Sequence, residues 1–305
     1  MRAPICADLD GVVAVLAADD LDDAGQVVLD AGFVGDDWGR PGFDLATDAW
    51  VVTDRAGTVV GYGQATRDEE DTVESWGVVH PDHRGRGIGS ALLDRIEDRA
   101  PRLLPDVRPL RFRHAVNAGD EAAAALLTAR GLRPVRHFWH MEAELTRPSE
   151  VGQSPNGVAI TAIRPPGDLR AVHAVLDEAF ADHWDHRSEP FEHWVDDLTR
   201  GPSYDPTLWL LARLDGEPVG ALTAVVLGDR GWISLLGVRA PFRGRGIAAA
   251  LLRHSFAAFG ARGIRRVLLA VDAQNPTGAT ALYERAGMRV VKRWDLWERT
   301  LGDPA

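Results

Sequence analysis

Two short stretches of this 305-residue chain have residue types and spacing suited to gripping a phosphate group. They read Arg84-Gly85-Arg86-Gly87-Ile88-Gly89 and Arg243-Gly244-Arg245-Gly246-Ile247-Ala248, and each joins an apolar strand-like run to a helix-like one. Glycine lets backbone approach a ligand with no Cβ in the way. The first turn of a helix offers unpaired N–H groups and partial positive charge. With arginine beside them these features form a cradle for a diphosphate, although a plain tight turn has the same ingredients. The spacing excludes the phosphate loop GxxxxGK[ST] and the dinucleotide fingerprint GxGxxG. A second polar group lies at 180–194, FADHWDHRSEPFEHW, with His183, Asp185, His186, Glu189 and His193. Three readings stand there: a solvated helix cap, a base role for one histidine, whose ordinary pKa is about 6.5, or a metal site using His183, His186 and Asp185.

The elements that must position these residues occur twice. Residues 79–93 read VHPDHRGRGIGSALL and residues 238–252 read VRAPFRGRGIAAALL, an offset of 159. Behind each comes an apolar strand, VRPLRFRHAV or IRRVLLAVDA, then an Ala-rich helix and a glycine, AAAALLTARGL (122–132) or GATALYERAGM (278–288), now offset by 156. Each half closes on what reads as a strand pair rich in aromatic and charged residues, RHFWHMEAEL and KRWDLWERTL. Matching blocks in the same order make the chain a tandem duplication. Pro, Gly, Ser and Asn cluster in TRPSEVGQSPNG (146–157), which is linker chemistry. The expected division is 1–147, a linker at 148–157, and 158–305.

The second half is the cleaner copy. VAITAI (158–163) reads as a strand, and Leu169, Val172, Leu176 and Phe180 fall at helical spacing over 168–180 with Asp168 as N-cap. A helix over Glu189–Thr199 follows, then a hairpin, a strand WISLLGV, and a helix from about Gly246 to Phe259. The expected order is strand, two helices, three strands, helix, strand, helix, two strands. The first half follows it with an Asp-rich, less regular opening at 8–37.

With the turn, the V-x-x-x-x-R spacing and the downstream elements in place, the sequence resembles the GNAT superfamily of acyl-CoA-dependent N-acyltransferases. Its signature [QR]-x-x-G-x-[GA] is met once in each half, and the tandem layout at this length is similar to that of the mycothiol synthase family. The resemblance implies an α/β fold of the α+β mixed-sheet kind: two tandem GNAT-like domains, each a splayed, mostly antiparallel sheet flanked by about four helices. It implies acetyl-CoA as donor, with its diphosphate on Arg243, Gly244, Arg245, Gly246, Ile247 and Ala248 and its pantetheine against the backbone of Leu236, Gly237 and Val238. In the first half the matching positions are Val79, Arg84, Gly85, Arg86, Gly87, Ile88 and Gly89.

The family usually places a tyrosine general acid four residues before the glycine that ends the last helix, and an asparagine near the coenzyme just before it. Tyr283 and Asn275 occupy those positions in the second half; the alternative for Tyr283 is a ring packed on the sheet. The first half has Leu127 there and Asn117 at a spacing shifted by two, so it is expected to keep a cradle but be catalytically silent or weak. Many members carry a glutamate base six residues before the signature valine, and that position is Trp232 here and Val73 in the first half. At that position the resemblance stops short of specifying a mycothiol-precursor acceptor. Glu74 should face the other way on a regular strand, which leaves His183 and His186 as candidate bases. Trp184 and Trp232 could line an apolar or aromatic acceptor pocket.

Composition bounds the rest. With 45 acidic and 34 basic residues the net charge is −11, which argues against a nucleic-acid-coating surface. Lys292 is the one lysine among those 34 bases, so arginine content alone says nothing about phosphate. The single cysteine, Cys6, excludes an intramolecular disulfide framework and a cysteine-cluster zinc site. No run of about 18 apolar residues is present, and the N-terminus turns acidic too early for a secretory signal. The expectation is a cytoplasmic N-acetyltransferase acting on a small primary amine by direct attack, with no metal, nucleic acid or membrane partner. A coenzyme sensor without turnover, or a protein-amine acetyltransferase, is the alternative.

Overall fold

The computed structural model describes residues 1–28, 31–40, 42–146, 154–199, 203–275 and 277–302, so most of the expected linker lies outside the described residues. The chain forms two compact units. The first is Met1–Trp139 with Asp272–Gln274 and Val291–Ala305; the second is His140–Val271 with Asn275–Val290. The units therefore differ from the sequence halves in where the last strand goes.

The first unit runs α1 (Leu9–Ala24), α2 (Ala31–Trp38), α3 (Leu45–Asp48), β1 (Ala49–Thr53), β2 (Val59–Glu69), β3 (Thr72–Val79), α4 (Ile88–Leu103), β4 (Leu110–Asn117) and α5 (Glu121–Ala129). Strand β5 (Arg133–Glu144) begins here and ends in the second unit. The second unit continues with β6 (Val158–Ala162), α6 (Leu169–Phe180), α7 (Phe191–Thr199), β7 (Leu210–Leu214), β8 (Glu217–Leu227), β9 (Arg230–Val238), α8 (Ile247–Ala261), β10 (Arg266–Asp272) and α9 (Ala279–Arg285). From β11 (Arg289–Leu301), Val291 onward returns to the first unit, where Trp294–Leu301 pairs antiparallel with Asn117–Leu110 of β4.

Each unit has antiparallel ladders and one parallel pair: β1-β2-β3 then β4 in the first, β6-β7-β8-β9 then β10 in the second. The mixed, mostly antiparallel sheet and the flanking helices are those the sequence led one to expect. Helix α4 buries the stripe Leu92, Leu93, Ile96 and Ala100, and α8 buries Ile247, Leu251, Phe256 and Phe259. In the first unit the α4 side of the sheet gathers Ile96, Leu110, Phe112 and Leu127 into one core. The α1 side gathers Val12, Leu16, Val34 and Tyr62 into another. Asp168 does stand at the N-cap of α6, yet its carboxylate accepts from the Arg164 amide and Arg213 rather than capping the helix.

Two expectations change. The closing strand pair of each half is one long strand, because no Gly, Pro or Asn interrupts Val135–Glu144 or Arg289–Leu301 to make a turn. The opening strand of the first half shrinks to an isolated bridge between Arg2 and Val51.

Candidate active site

Strands β9 and β10 run side by side only from Arg230↔Arg266 to Ile233↔Leu269, and then their ladder stops. On its other edge β9 stays paired with β8 as far as Val238↔Gly220, with an irregularity that leaves Ser234 without a partner. The irregularity changes which face each residue presents. A Cβ on Gly231 would strike Phe259 of α8 at 2.7 Å, whereas one on Gly237 would strike Ala179 of α6 at 2.7 Å. Six residues apart on a regular strand, the two would share a face. Backbone from Leu235 to Val238 is thus left without a ladder partner on the β10 side, beside an opening in which Ser234 and Ala270 are exposed. This is the geometry that a pantetheine needs if it is to pair with Leu236, Gly237 and Val238.

At the end of β9 the turn is built as its sequence requires. Gly244 and Gly246 have φ of +75° and +78°, a conformation that costs an L-residue roughly 1–2 kcal/mol. Gly246 is the N-cap of α8, and no side chain caps that end, so the amides of Ile247, Ala248 and Ala249 have no intrahelical acceptor. Arg243 donates to the carbonyl oxygens of Val238 (3.1 Å) and Ala179 (2.8 Å), and Arg245 reaches the Pro241 carbonyl at 3.5 Å. Carbonyls do not neutralise the arginines' charge, and among the described residues no carboxylate pairs with either.

The first unit repeats the turn, with Gly85 at φ +73°, Gly87 at +79° and an uncapped α4, but its surroundings differ in three ways. First, Arg84 is held by carboxylates, Asp19 at 2.7 Å and Asp22 at 2.6 Å. Second, the other Asp19 oxygen accepts from Asn117 Nδ2 at 2.8 Å, so one carboxylate of α1 spans the turn after β3 and the end of β4. Burial pushes that carboxyl above its usual range, against the pull of Lys292 and Arg84. Beside it, buried Lys292 donates to Asp20 at 2.6 Å. Third, the β3–β4 ladder continues through Ser75↔His114 and Trp76↔Ala115. By the 159 and 156 offsets, its Glu74↔Arg113 pair matches the last pair of the second unit, so the first unit zips two residues further. Ser75 is buried, donating to Arg113 O at 2.7 Å and lying 2.8 Å from His114 Nδ1. Burial lowers the His114 pKa to about 4.

Tyr283 lies on α9 and is 8% exposed, and burial pushes its phenol up to about 12. Its hydroxyl makes no hydrogen bond among the described residues. Leu127, at the matching position, is fully buried in the α4-side core and has no proton to give. Asn275 accepts from the Thr277 amide (2.8 Å) and hydroxyl through Oδ1. Trp232 is half buried, its ring edge-on to His140 at 5.5 Å. Val73 is buried, and Glu74 turns to the other face, where Arg113 lies 3.9 Å away.

In the acceptor-side segment His183 Nδ1 lies 3.2 Å from the Trp184 carbonyl. A carbonyl only accepts, so Nδ1 carries the proton and Nε2 the lone pair. His183 also packs edge-on to Phe180 at 5.5 Å, and Phe180 stands 3.5 Å from where a Gly237 Cβ would be. His186 Nε2 is 3.2 Å from Asp177, which also accepts from Ser188. Among the described residues no three His, Cys, Asp or Glu side chains converge as a metal would require. Sequence reasoning passed over Asp19 and Asp22, whose partners are distant in sequence, and Asp177, which meets His186 and Ser188 across the turn after α6. It also missed Ser75 and Ser234, which the 159 offset pairs.

Comparison with known proteins agrees in kind. Residues 169–288 match the acetyltransferase (GNAT) family and residues 46–127 the acetyltransferase (GNAT) domain. The mycothiol acetyltransferase of Cellulomonas flavigena is 34% identical over 261 residues, 78% of this chain and 71% of that protein. That of Thermobispora bispora is 35% identical over 228 residues, 71% and 72% of the two chains. The crystal structure of a GCN5-related N-acetyltransferase from Sphaerobacter thermophilus superposes with a TM-score of 0.85 at 34% identity, covering 100% of this chain and 96% of that one. A tandem GNAT protein from the clavulanic acid biosynthesis pathway has a TM-score of 0.70 at 19% identity, a likeness of fold, over 100% and 98% of the chains.

Proposed function

The chain belongs to the GNAT family of acetyltransferases, and from that premise we propose that its second unit moves an acetyl group from acetyl-CoA to the primary amine of a small molecule. The single observation that carries this is the parting of β9 from β10 beside an uncapped helix, preceded by two arginines whose hydrogen bonds among the described residues go to carbonyls. There the amides of Ile247 and Ala248 and the charge of Arg243 and Arg245 meet the diphosphate, while Leu236, Gly237 and Val238 pair with the pantetheine. In this reading Asn275, on the loop between β10 and α9, contacts the coenzyme.

The amine attacks the thioester carbon directly, and its carbonyl oxygen takes up negative charge until the C–S bond breaks. Tyr283, still protonated at neutral pH because burial holds it at about 12, donates to the departing sulfur. The proton shed by the new amide restores the phenol, so one N–H is exchanged overall for one S–H. His183 takes the amine's proton before attack, its Nε2 lone pair being set by the Trp184 carbonyl and its ring lying one side chain from Gly237. His186 is held by Asp177 and serves as a neighbour rather than the base. The relatives' name points to an acceptor from mycothiol chemistry. Trp232 in place of a glutamate requires this chain to move the amine's proton by another route.

The first unit is the silent copy in this reading: Asp19 already occupies both Arg84 and Asn117, and Leu127 has no acid function. Calorimetry with acetyl-CoA is expected to find one site per chain, and thiol-trapped CoA release with a panel of small amines is expected to find turnover. Binding without turnover across that panel, with peptide amines included, would make the protein a coenzyme sensor. Turnover confined to peptides would make it a protein acetyltransferase, and two equal sites would reinstate the first cradle.

A further inference from the structure

Ser75 and Ser234 are the same residue in the two copies, yet their surroundings are opposites. Ser75 pairs with Ala65 on one side and His114 on the other, is 4% exposed, and spends its hydroxyl on Arg113 O and His114. Ser234 pairs with neither β8 nor β10. It stands exposed in mid-strand directly after buried Ile233, where the two strands part and the faces of β9 exchange. Its hydroxyl bonds no described residue. From Trp232 to Val238 it is the one side chain on β9 with an oxygen. It lies two residues beyond Trp232, which has no oxygen with which to hold an amine.

Resting on the transferase reading above, we infer that Ser234 is a positioning residue for the acceptor: its hydroxyl oxygen accepts a hydrogen bond from the amine N–H and aims the nitrogen lone pair at the thioester carbon. It neither gains nor loses a proton in the reaction, and His183 remains the base. A single neutral acceptor at the opening would hold a neutral primary or secondary amine through its N–H, whereas a neutral tertiary amine has no N–H to donate. In the first unit the equivalent hydroxyl cannot act, being locked under two further ladder pairs.

The test uses the full chain with methylamine and hydroxylamine as surrogate acceptors and trapped CoA as readout. Ser234→Ala is expected to lower kcat/KM for the amine at least tenfold, mainly through KM, with acetyl-CoA affinity within twofold of the parent. Ser234→Thr, which keeps the hydroxyl, is expected to recover most of the loss. Ser75→Ala is expected to lower Tm while leaving both kinetic constants unchanged. Unchanged kcat/KM in Ser234→Ala, an equal loss of acetyl-CoA affinity, or failure of Ser234→Thr to rescue would overturn the assignment. Tyr283→Phe keeps the two claims apart: a large loss there with none in Ser234→Ala sinks only the serine's role. No enzymatic CoA release from the parent with any amine sinks both.

Discussion

Replacing Tyr283 with Phe removes one hydroxyl and little else, so it isolates the step assigned to the phenol. The residue is 8% exposed and keeps its packing on α9, and the lost hydroxyl has no described partner to orphan. The stability change should therefore stay within about 0.5 kcal/mol, the range of substitutions that break no buried bond. Burial raises the phenol from 10 to about 12, which corresponds to about 3 kcal/mol of preference for the neutral form. The wild-type donor is thus present across the whole neutral range, and its loss should be equally large at pH 6 and pH 9. A positioned proton donor is worth roughly 10²–10⁴ in rate, and with the turn amides untouched the loss should fall on kcat. Initial rates of CoA release across acetyl-CoA concentrations, with urea unfolding as the control for folding, make the measurement. A variant retaining more than half of the parent kcat, or losing acetyl-CoA affinity instead, would refute the role of Tyr283.

Gly246→Val places a β-branched residue at φ +78°, straining the N-cap of α8 by roughly 1–3 kcal/mol and tilting the amides that face the diphosphate. Its expected signature is a rise of tenfold or more in the KM for acetyl-CoA, with a smaller change in the rate at saturation, measured by the same assay. Acid should weaken the fold through His114: the folded state resists protonation down to about 4, whereas the unfolded chain takes the proton near 6.5. This contribution is intact above 6.5 and is lost as pH falls, amounting to about 3 kcal/mol between pH 7 and pH 4. Urea midpoints should drop less steeply with acid in His114→Gln than in the parent, and parallel curves would remove His114 as the cause.

The duplication and the glycine turns were legible in the sequence because each rests on local chemistry, repeated blocks in one case and glycines where φ is positive in the other; the mostly antiparallel sheet was expected from the GNAT resemblance. Helix α6 was located to within a residue at each end by Leu169, Val172, Leu176 and Phe180. What set the two copies apart was not legible there. Whether an arginine meets a carboxylate or a carbonyl depends on where α1 and α6 end, and Asp19 lies 65 residues from Arg84. The two serines look identical in sequence, and a longer parallel ladder on one side with unbroken antiparallel pairing on the other separates the locked hydroxyl from the open one. Strands β5 and β11 are each one long strand rather than the expected pair, since the sequence holds no residue there able to turn the chain.

The route of the last strand also bears on how the protein is made. Val291–Leu301 completes the sheet that β4 would otherwise leave open, yet it is synthesised roughly 150 residues after Trp139, where the long first segment of that body ends. At about 5–20 residues per second, this amounts to a delay on the order of ten to thirty seconds. During that interval the nascent polypeptide carries bare amide and carbonyl groups along Leu110–Asn117, and a chaperone has time to cover them before the final segment arrives.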